Sequence, residues 1–148
     1  MYKDGDEIMK VTWDKEENEC FVKERIGNQT LRMAFTMTDW TDDTIHFNIY
    51  LTLYNKRGQI ASNEAEVKST GENPVKTFFV ARKAFWALLN EIAYQFNDRY
   101  DLVVYCCWLD NRRREVYKKF LTPLGFRYGI IDNEKCLFKR YKKGTAIV

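Results

Sequence analysis

The stretch DLVVYCCW, residues 101–108, decides the fold, because apolar side chains occupy nearly every position in it. Neighbouring residues of a strand point to opposite faces of a sheet, so such a strand must be covered on both faces, which is typical of a central strand. Upstream, large apolar residues recur at intervals of three and four and predict an amphipathic helix over residues 75–96. A helix followed by a buried strand predicts a parallel crossover unit. The apolar residues of this helix are Phe78, Ala81, Phe85, Leu88, Leu89, Ile92 and Phe96.

The chain before this helix has the period of β-strands. Residues 44–54 (TIHFNIYLTLY) alternate apolar and polar side chains, which predicts a strand with His46, Asn48 and Tyr50 on its polar face. Residues 27–28 (Gly-Asn) lie between two further alternating runs and predict the turn of a β-hairpin. Residues 1–17 are polar and form either a short lead-in or a first strand over 8–13. The remaining predicted strands are 19–26, 30–38, 59–68, 126–131 and 134–141.

A second helix is predicted over residues 111–121, between the buried strand and a terminal hairpin. Asp110 or Asn111 can cap its first turn, and Pro123 with Gly125 ends it. The order is therefore several strands, a long helix, a strand, a shorter helix and a hairpin. It predicts an α+β fold with a single mixed, mostly antiparallel sheet and helices packed on it.

The composition excludes several classes of chemistry. The chain has a single histidine, His46, which argues against the commonest metal centres and Ser-His triads, and its four cysteines lack the CxxC spacing of a zinc motif. Cys106 and Cys107 are adjacent and would point to opposite faces of a strand, so they cannot easily share a metal. We expect four reduced, buried thiols, which is typical of a cytoplasmic protein.

Charge and hydropathy narrow the choice of partners. The formal net charge of the 148 residues is only +3, which argues against nucleic-acid binding. The run Arg112–Arg114 is either a solvated helix face or a contact for phosphate. No stretch approaches the roughly 18 apolar residues of a membrane helix, and the first residues lack an apolar signal region. We therefore expect no membrane contact and a cytoplasmic location.

Three features of the second half follow one another in a familiar order. They are residues 110–117 (DNRRREVY), the sequence Leu124-Gly125-Phe126 after the second helix, and the hairpin that passes through Leu137-Phe138-Lys139. In this order the chain resembles the GCN5-related N-acetyltransferase (GNAT) superfamily. The resemblance covers residues 44–141 and implies a GNAT-like fold with acetyl-CoA as co-substrate.

The resemblance divides the chain unequally and is incomplete. Within a single domain, 1–148, residues 1–43 form a divergent N-terminal β region without the family's N-terminal helices, and residues 142–148 form a tail. The family's pyrophosphate loop, Gln/Arg-x-x-Gly-x-Gly/Ala, has its nearest match in residues 68–73 (KSTGEN), before a proline. Gly125 follows Tyr117 by eight positions, where the family's glycine follows its tyrosine by about four.

The resemblance also implies roles for particular residues. Tyr117 would protonate the leaving thiolate, and Glu66, Glu64 or His46 would take a proton from the acceptor amine. Tyr117 can instead pack its ring on the sheet, Asn111 can cap a helix, and His46 can lie at the surface. The implied coenzyme-binding residues are Lys68, Thr70, Gly71, Asn73, Asn111 and Arg114.

Two functions are consistent with this sequence. The first is an acetyl-CoA-dependent N-acetyltransferase, an enzyme that acts on a small-molecule or protein amine. The alternative is a catalytically inactive GNAT-like protein-binding module, such as a bacteriophage accessory protein or an inhibitor of a host protein, because small chains rich in Lys, Glu, Asn and Tyr are typical of that class. A homodimer is a further expectation, since an exposed edge of the N-terminal strands can pair with another copy.

Overall fold

The computed structural model describes residues 9–62, 74–108 and 111–146. Within these ranges eight β-strands, two α-helices and a short 3₁₀ turn at Thr122–Leu124 follow one another. The strands are β1 (Thr12–Asp14), β2 (Glu19–Ile26), β3 (Gln29–Trp40), β4 (Thr44–Asn55), β5 (Gly58–Ser62), β6 (Asp101–Cys107), β7 (Arg127–Ile131) and β8 (Glu134–Tyr141). The helices are α1 (Pro74–Phe96) and α2 (Asn111–Leu121).

Most elements lie close to their predicted bounds, and two strands differ. The strand predicted over 8–13 begins only at Thr12, where pairing with β2 starts. β3 continues to Trp40 instead of ending at Thr38, because a register shift lets it stay paired with β4. Of the strand predicted over 59–68, the part beyond Ser62 lies outside the described residues.

The strands form one sheet in the order β1-β2-β3-β4-β6-β8-β7, with β5 paired to β4 beside this path. Among the described pairs only β4 and β6 are parallel, and the others are antiparallel. This confirms the α+β class and the mixed, mostly antiparallel sheet. Two parallel neighbours need a crossover connection, and α1 supplies it, as the sequence predicts.

Strand β4 shares one of its edges between two partners. Residues 30–40, which belong to β3, pair with the first edge of β4. On the second edge, β6 pairs with residues 44–48 of β4, and β5 pairs with residues 52–55. The last described pair between β4 and β6 is Asn48 with Tyr105, so β6 and β5 follow one another along the same edge.

Both helices pack on one face of the sheet, here called the helix face. Phe85 of α1 lies 5.8 Å from Phe35 of β3 and 6.3 Å from Phe120 of α2 between ring centroids. Both helices therefore belong to one core, which also contains alternate residues of β2, β3, β4, β6 and β8. Neither described helix has the length and apolar character that crossing a membrane requires.

The opposite face, here called the far face, has a smaller apolar cluster of its own. Tyr105, Cys107 and Cys136 are its buried members, and Ile131 and Phe138 pack against them. No helix of the described residues covers this face, so strand side chains must shield one another. Cys106 belongs instead to the helix-face core, which confirms that the adjacent cysteines point to opposite faces.

The segment predicted as a tail is docked onto the end of α1. The side chain of Asn97 is buried, and its Nδ2 donates to the carbonyls of Tyr100 at 3.0 Å and Lys142 at 3.3 Å. Its Oδ1 accepts a hydrogen bond from the Ala146 amide at 2.7 Å. A buried amide with all these partners satisfied fixes the chain path here, so the residues up to Ala146 are part of the fold.

We predict that Phe85→Ala lowers the free energy of unfolding by about 3–5 kcal/mol, because it removes the ring that joins both helices to the sheet. Urea unfolding followed by circular dichroism measures this loss. Tyr94→Ala on the same helix is the control: Tyr94 is 77% exposed, so its loss should change stability by no more than about 0.5 kcal/mol. Equal effects of the two substitutions would contradict the packing described above.

Candidate functional site

A group of polar side chains lies at the centre of the far face, where strands β3, β4 and β6 meet. It consists of Thr38, Asp39, His46, Asn48 and Tyr105, here called the central polar cluster. The register of the sheet assembles it, because Asp39 pairs with His46 and Asn48 pairs with Tyr105. The strand alternation that sends Ile45 and Phe47 into the helix-face core sends His46 and Asn48 to the far face.

A β-bulge in β3 shapes one side of the cluster. Met37 pairs with Phe47 and Asp39 with His46, so Thr38 is an extra residue in β3. Bulges redirect side chains and occur frequently beside active sites. Here Thr38 Oγ1 accepts a hydrogen bond from Tyr105 Oη at 2.9 Å, which links β3 to β6 across the intervening strand β4.

His46 is half-buried and lies beside one carboxylate. Its Nδ1 is 3.8 Å from Asp39 Oδ2, too far for a hydrogen bond but close enough for an ion pair when the imidazole is protonated. Nδ1 makes no hydrogen bond within the part of the chain that the structure describes. An imidazole beside a carboxylate is a frequent general base in enzymes, so His46 is the candidate for that role in this cluster.

Asn48 supplies a buried acceptor without a partner. The residue is only 5% exposed, and its Oδ1 has no hydrogen-bond partner among the described residues. Leaving a buried amide oxygen unpaired costs about 1–3 kcal/mol, and such groups in native proteins often mark functional positions. A ligand that brings an N–H or O–H to this oxygen would remove that cost.

Tyr105 is a hydrogen-bond donor that stays protonated. Burial raises the pKa of its phenol to about 12, although the hydrogen bond to Thr38 lowers it in part. A phenol of that pKa cannot readily give its proton to a thiolate, because thiols have a pKa of about 8.5. Tyr105 can therefore orient or stabilise a ligand by a hydrogen bond, and it is a poor proton donor.

Of the site residues predicted on the second helix, Tyr117 lies away from this cluster. Tyr117 is partly buried and packs against the helix-face core, whereas His46 lies on the far face. The sheet therefore lies between these two side chains. Arg114 Nη2 donates to Glu115 Oε1 at 3.1 Å in an exposed pair. Asn111 is the first residue of α2, and its side chain lies outside the described part.

The other predicted site residues lie outside the described ranges. They are Glu64, Glu66, Lys68, Thr70, Gly71 and Asn73, and their roles stay predictions. The described chain resumes at Pro74, the first residue of α1.

Two of the four cysteines are poor nucleophiles. None of the four forms a disulfide within the described residues, and all four are buried. Burial raises the pKa of Cys20 to about 12 and that of Cys136 to about 11, so these thiols are not nucleophiles at neutral pH. Among the described residues, no group of three or more His, Cys, Asp or Glu side chains could hold a metal ion.

Sequence reasoning found His46 and missed most of its neighbours. Tyr105 sits in the uniformly apolar run of β6, where nothing local distinguishes it from a core residue. Thr38 and Asp39 come together with His46 through a bulge, which no short sequence pattern announces. Asn48 was predicted on the same polar face as His46, and that alternation was the one signal that could have pointed to the cluster.

Comparison of this chain with protein-family models, with curated proteins and with solved structures finds no match.

We predict that Tyr105→Phe flattens the alkaline loss of stability. The phenol of the folded protein has a pKa raised from 10.0 to about 12, so the unfolded chain ionises first, and the free energy of unfolding falls as pH rises between these values. Urea unfolding at several pH values from 8 upward would show a shallower decline in the variant. Tyr94→Phe, an exposed control, should follow the wild-type profile; a similar flattening there would contradict the assignment.

Proposed function

We propose that this protein is a cytoplasmic N-acetyltransferase that transfers the acetyl group of acetyl-CoA to an amine. The observation that carries the proposal is the place where β4 and β6 end their described pairing. These are the parallel strands of the sheet, joined by a helical crossover, and their last pair is Asn48 with Tyr105 in the central polar cluster. Ligands of sheets with parallel strands characteristically bind beyond the carboxyl ends of such strands.

The order of the elements also supports the proposal. Strands, a long helix, a buried strand, a shorter helix and a hairpin follow one another, which is the order on which the resemblance to the GNAT superfamily rests. Two features depart from it. The described bulges lie in β3 and β5, as the register shifts show, and the region before β4 is made of strands.

The chemistry of the cluster suits attack by an amine on a thioester. An amine is nucleophilic only after it loses its proton, and His46 can accept that proton directly or through a water molecule. Asp39 would then stabilise the imidazolium that forms. Asn48 Oδ1 can accept a hydrogen bond from the amine and so orient it. The resemblance makes Tyr117 the candidate acid for the leaving thiolate, and Tyr117 would have to reach that sulfur from the helix face, against whose core it packs.

Some of the groups that would bind the phosphates of acetyl-CoA are present. The free amides of a helix N-terminus favour phosphate, and the α1 terminus at Pro74 follows the predicted loop of Lys68, Thr70, Gly71 and Asn73. The exposed pair of Arg114 with Glu115 contributes little, so Arg114 is free to exchange its carboxylate for a phosphate group. When bound, acetyl-CoA supplies an activated acyl group.

A second function, a protein-binding module without catalysis, is favoured by two observations. β5 takes part of the edge of β4 along which an extended coenzyme arm would lie. At the start of α1, Val75 and Phe79 are large apolar side chains that are mostly exposed, and exposed apolar groups of this kind suit a protein partner.

Acetyl-CoA binding separates the two functions. By isothermal titration calorimetry we expect acetyl-CoA to bind with a Kd of about 100 μM or tighter. Binding should be lost in Gly71→Asp, because a carboxylate would repel the pyrophosphate. If millimolar acetyl-CoA gives no heat of binding, the acetyltransferase proposal is wrong and the protein-binding module is the function that remains.

Turnover tests the role of His46. With acetyl-CoA and a panel of primary amines, thiol release should fall about 100-fold in His46→Gln, while the Kd for acetyl-CoA stays unchanged. Tyr94→Phe is the exposed control and should keep wild-type turnover. Binding with undiminished turnover in His46→Gln would exclude His46 as the base while preserving the proposed coenzyme site.

A further inference from the structure

The strand β7 ends the sheet, and its outer edge carries two apolar residues. Among the described strands its partner is β8 alone. Ile130 is 71% exposed and Tyr128 is 48% exposed. Edge strands of soluble proteins are normally protected by lysine, proline or a bulge, but the five residues RYGII of β7 contain one charge, at Arg127, and no proline.

The turn between β7 and β8 determines which backbone groups point outward. Asp132 and Asn133 have positive φ values of 52° and 67°, as a two-residue hairpin turn of type I′ requires. The residues that flank such a turn exchange hydrogen bonds, and hydrogen-bonded pairs then alternate along the ladder. Gly129 and Cys136 are consequently a hydrogen-bonded pair, and the N–H and C=O of Gly129 point toward β8. The 3.7 Å contact between Cys136 Sγ and the Gly129 carbonyl agrees with this.

The N–H and C=O groups of Tyr128 and Ile130 therefore point away from β8. They flank Gly129 symmetrically, so the edge is complementary to itself about a two-fold axis at Gly129. In that arrangement Tyr128 of one copy exchanges backbone hydrogen bonds with Ile130 of the other, and the same happens on the other side of the axis. An isologous contact of this kind is closed and stops at two copies.

The side chains suit the same axis. Tyr128 and Ile130 lie on the helix face, because Tyr128 pairs with the core residue Leu137. Each tyrosine would lie opposite an isoleucine of the second copy, and aromatic pairs with β-branched residues stabilise sheets by about 0.2–1 kcal/mol each. Arg127 would face Ile131 of the second copy, so like charges do not meet.

Gly129 removes the remaining obstacle on the far face. Gly129 of one copy lies opposite Gly129 of the other across the axis. Within each copy, the ring of Phe138 already fills the space that a Cβ at position 129 would need. The two backbones can therefore approach without an opposing side chain. The other end of the sheet is less suitable, because β1 has only three residues and includes Asp14.

From this geometry we propose that the protein forms a two-fold symmetric dimer in which β7 of one copy pairs antiparallel with β7 of another, centred on Gly129, so that the two sheets become one. The occupant of the β7 edge is a second copy of this chain. This proposal does not depend on the acetyltransferase function.

Sedimentation equilibrium over a range of protein concentrations tests the dimer. We expect the wild type to have twice the chain mass at high concentration, and Ile130→Lys to dimerise at least tenfold more weakly. Ile130→Pro removes an outward N–H that β8 does not use and should weaken the dimer similarly. Tyr94→Lys replaces an exposed apolar residue on α1 and should dimerise like the wild type, with all folds checked by circular dichroism.

A cross-link tests the register independently. In the proposed pairing Tyr128 and Ile130 of different copies have Cα atoms about 5.5 Å apart, within the range for a disulfide. Tyr128→Cys mixed with Ile130→Cys should give a disulfide-linked dimer after mild oxidation. Either variant alone should give much less, because identical positions are diagonal neighbours about 7–8 Å apart.

Three outcomes would overturn the proposal. The first is a monomer at every concentration up to the millimolar range. The second is a dimer as strong in both Ile130 variants as in the wild type. The third is growth beyond two copies, since it would indicate open pairing between different strand edges, such as β1 with β7.

Discussion

The parallel pairing of β4 with β6 is the constraint on which the rest of the structure depends. Parallel neighbours need a long connection, and right-handed crossovers are overwhelmingly preferred. α1 must therefore lie over one particular face. The connection from β6 to β7 continues in the same direction along the sheet, so α2 lies over the same face. Phe85 joins the two helices and the sheet in a single core because of this handedness.

The same constraint explains why the polar chemistry lies on the far face. Because no helix of the described residues packs on this face, side chains of the strands must shield it from solvent. At β6 and β8 it is closed by Tyr105, Cys107 and Cys136. Toward β3 and β4 it carries His46 and Asn48, whose ring nitrogen and amide oxygen remain without hydrogen bonds among the described residues. Buried polar atoms of this kind cost stability, and Asn48 belongs to the last described pair of the parallel strands.

Most of the local structure could be predicted, because periodicity is a local property of the sequence. The alternation of residues 44–54 and the three-and-four spacing of α1 each determine one element, and the structure has both. Long-range relations could not be predicted in this way. Tyr105 and Thr38 are 67 positions apart and meet only because a bulge adds one residue to β3. β5 and β6 likewise share one edge of β4. How two strands divide an edge depends on both of them, so neither sequence segment predicts it alone.

The proposed dimer would place two central polar clusters on one continuous surface. A two-fold axis at the β7 edge that keeps Tyr128 opposite Ile130 is perpendicular to the sheet, so both helix faces point one way and both far faces the other. Five strand spacings separate β6 from its counterpart, about 24 Å at 4.8 Å each. The clusters would remain accessible, because the shared edge lies two strands away from β6. A long or repetitive ligand could then contact both clusters at once, and the second contact would gain from the high effective concentration that tethering provides.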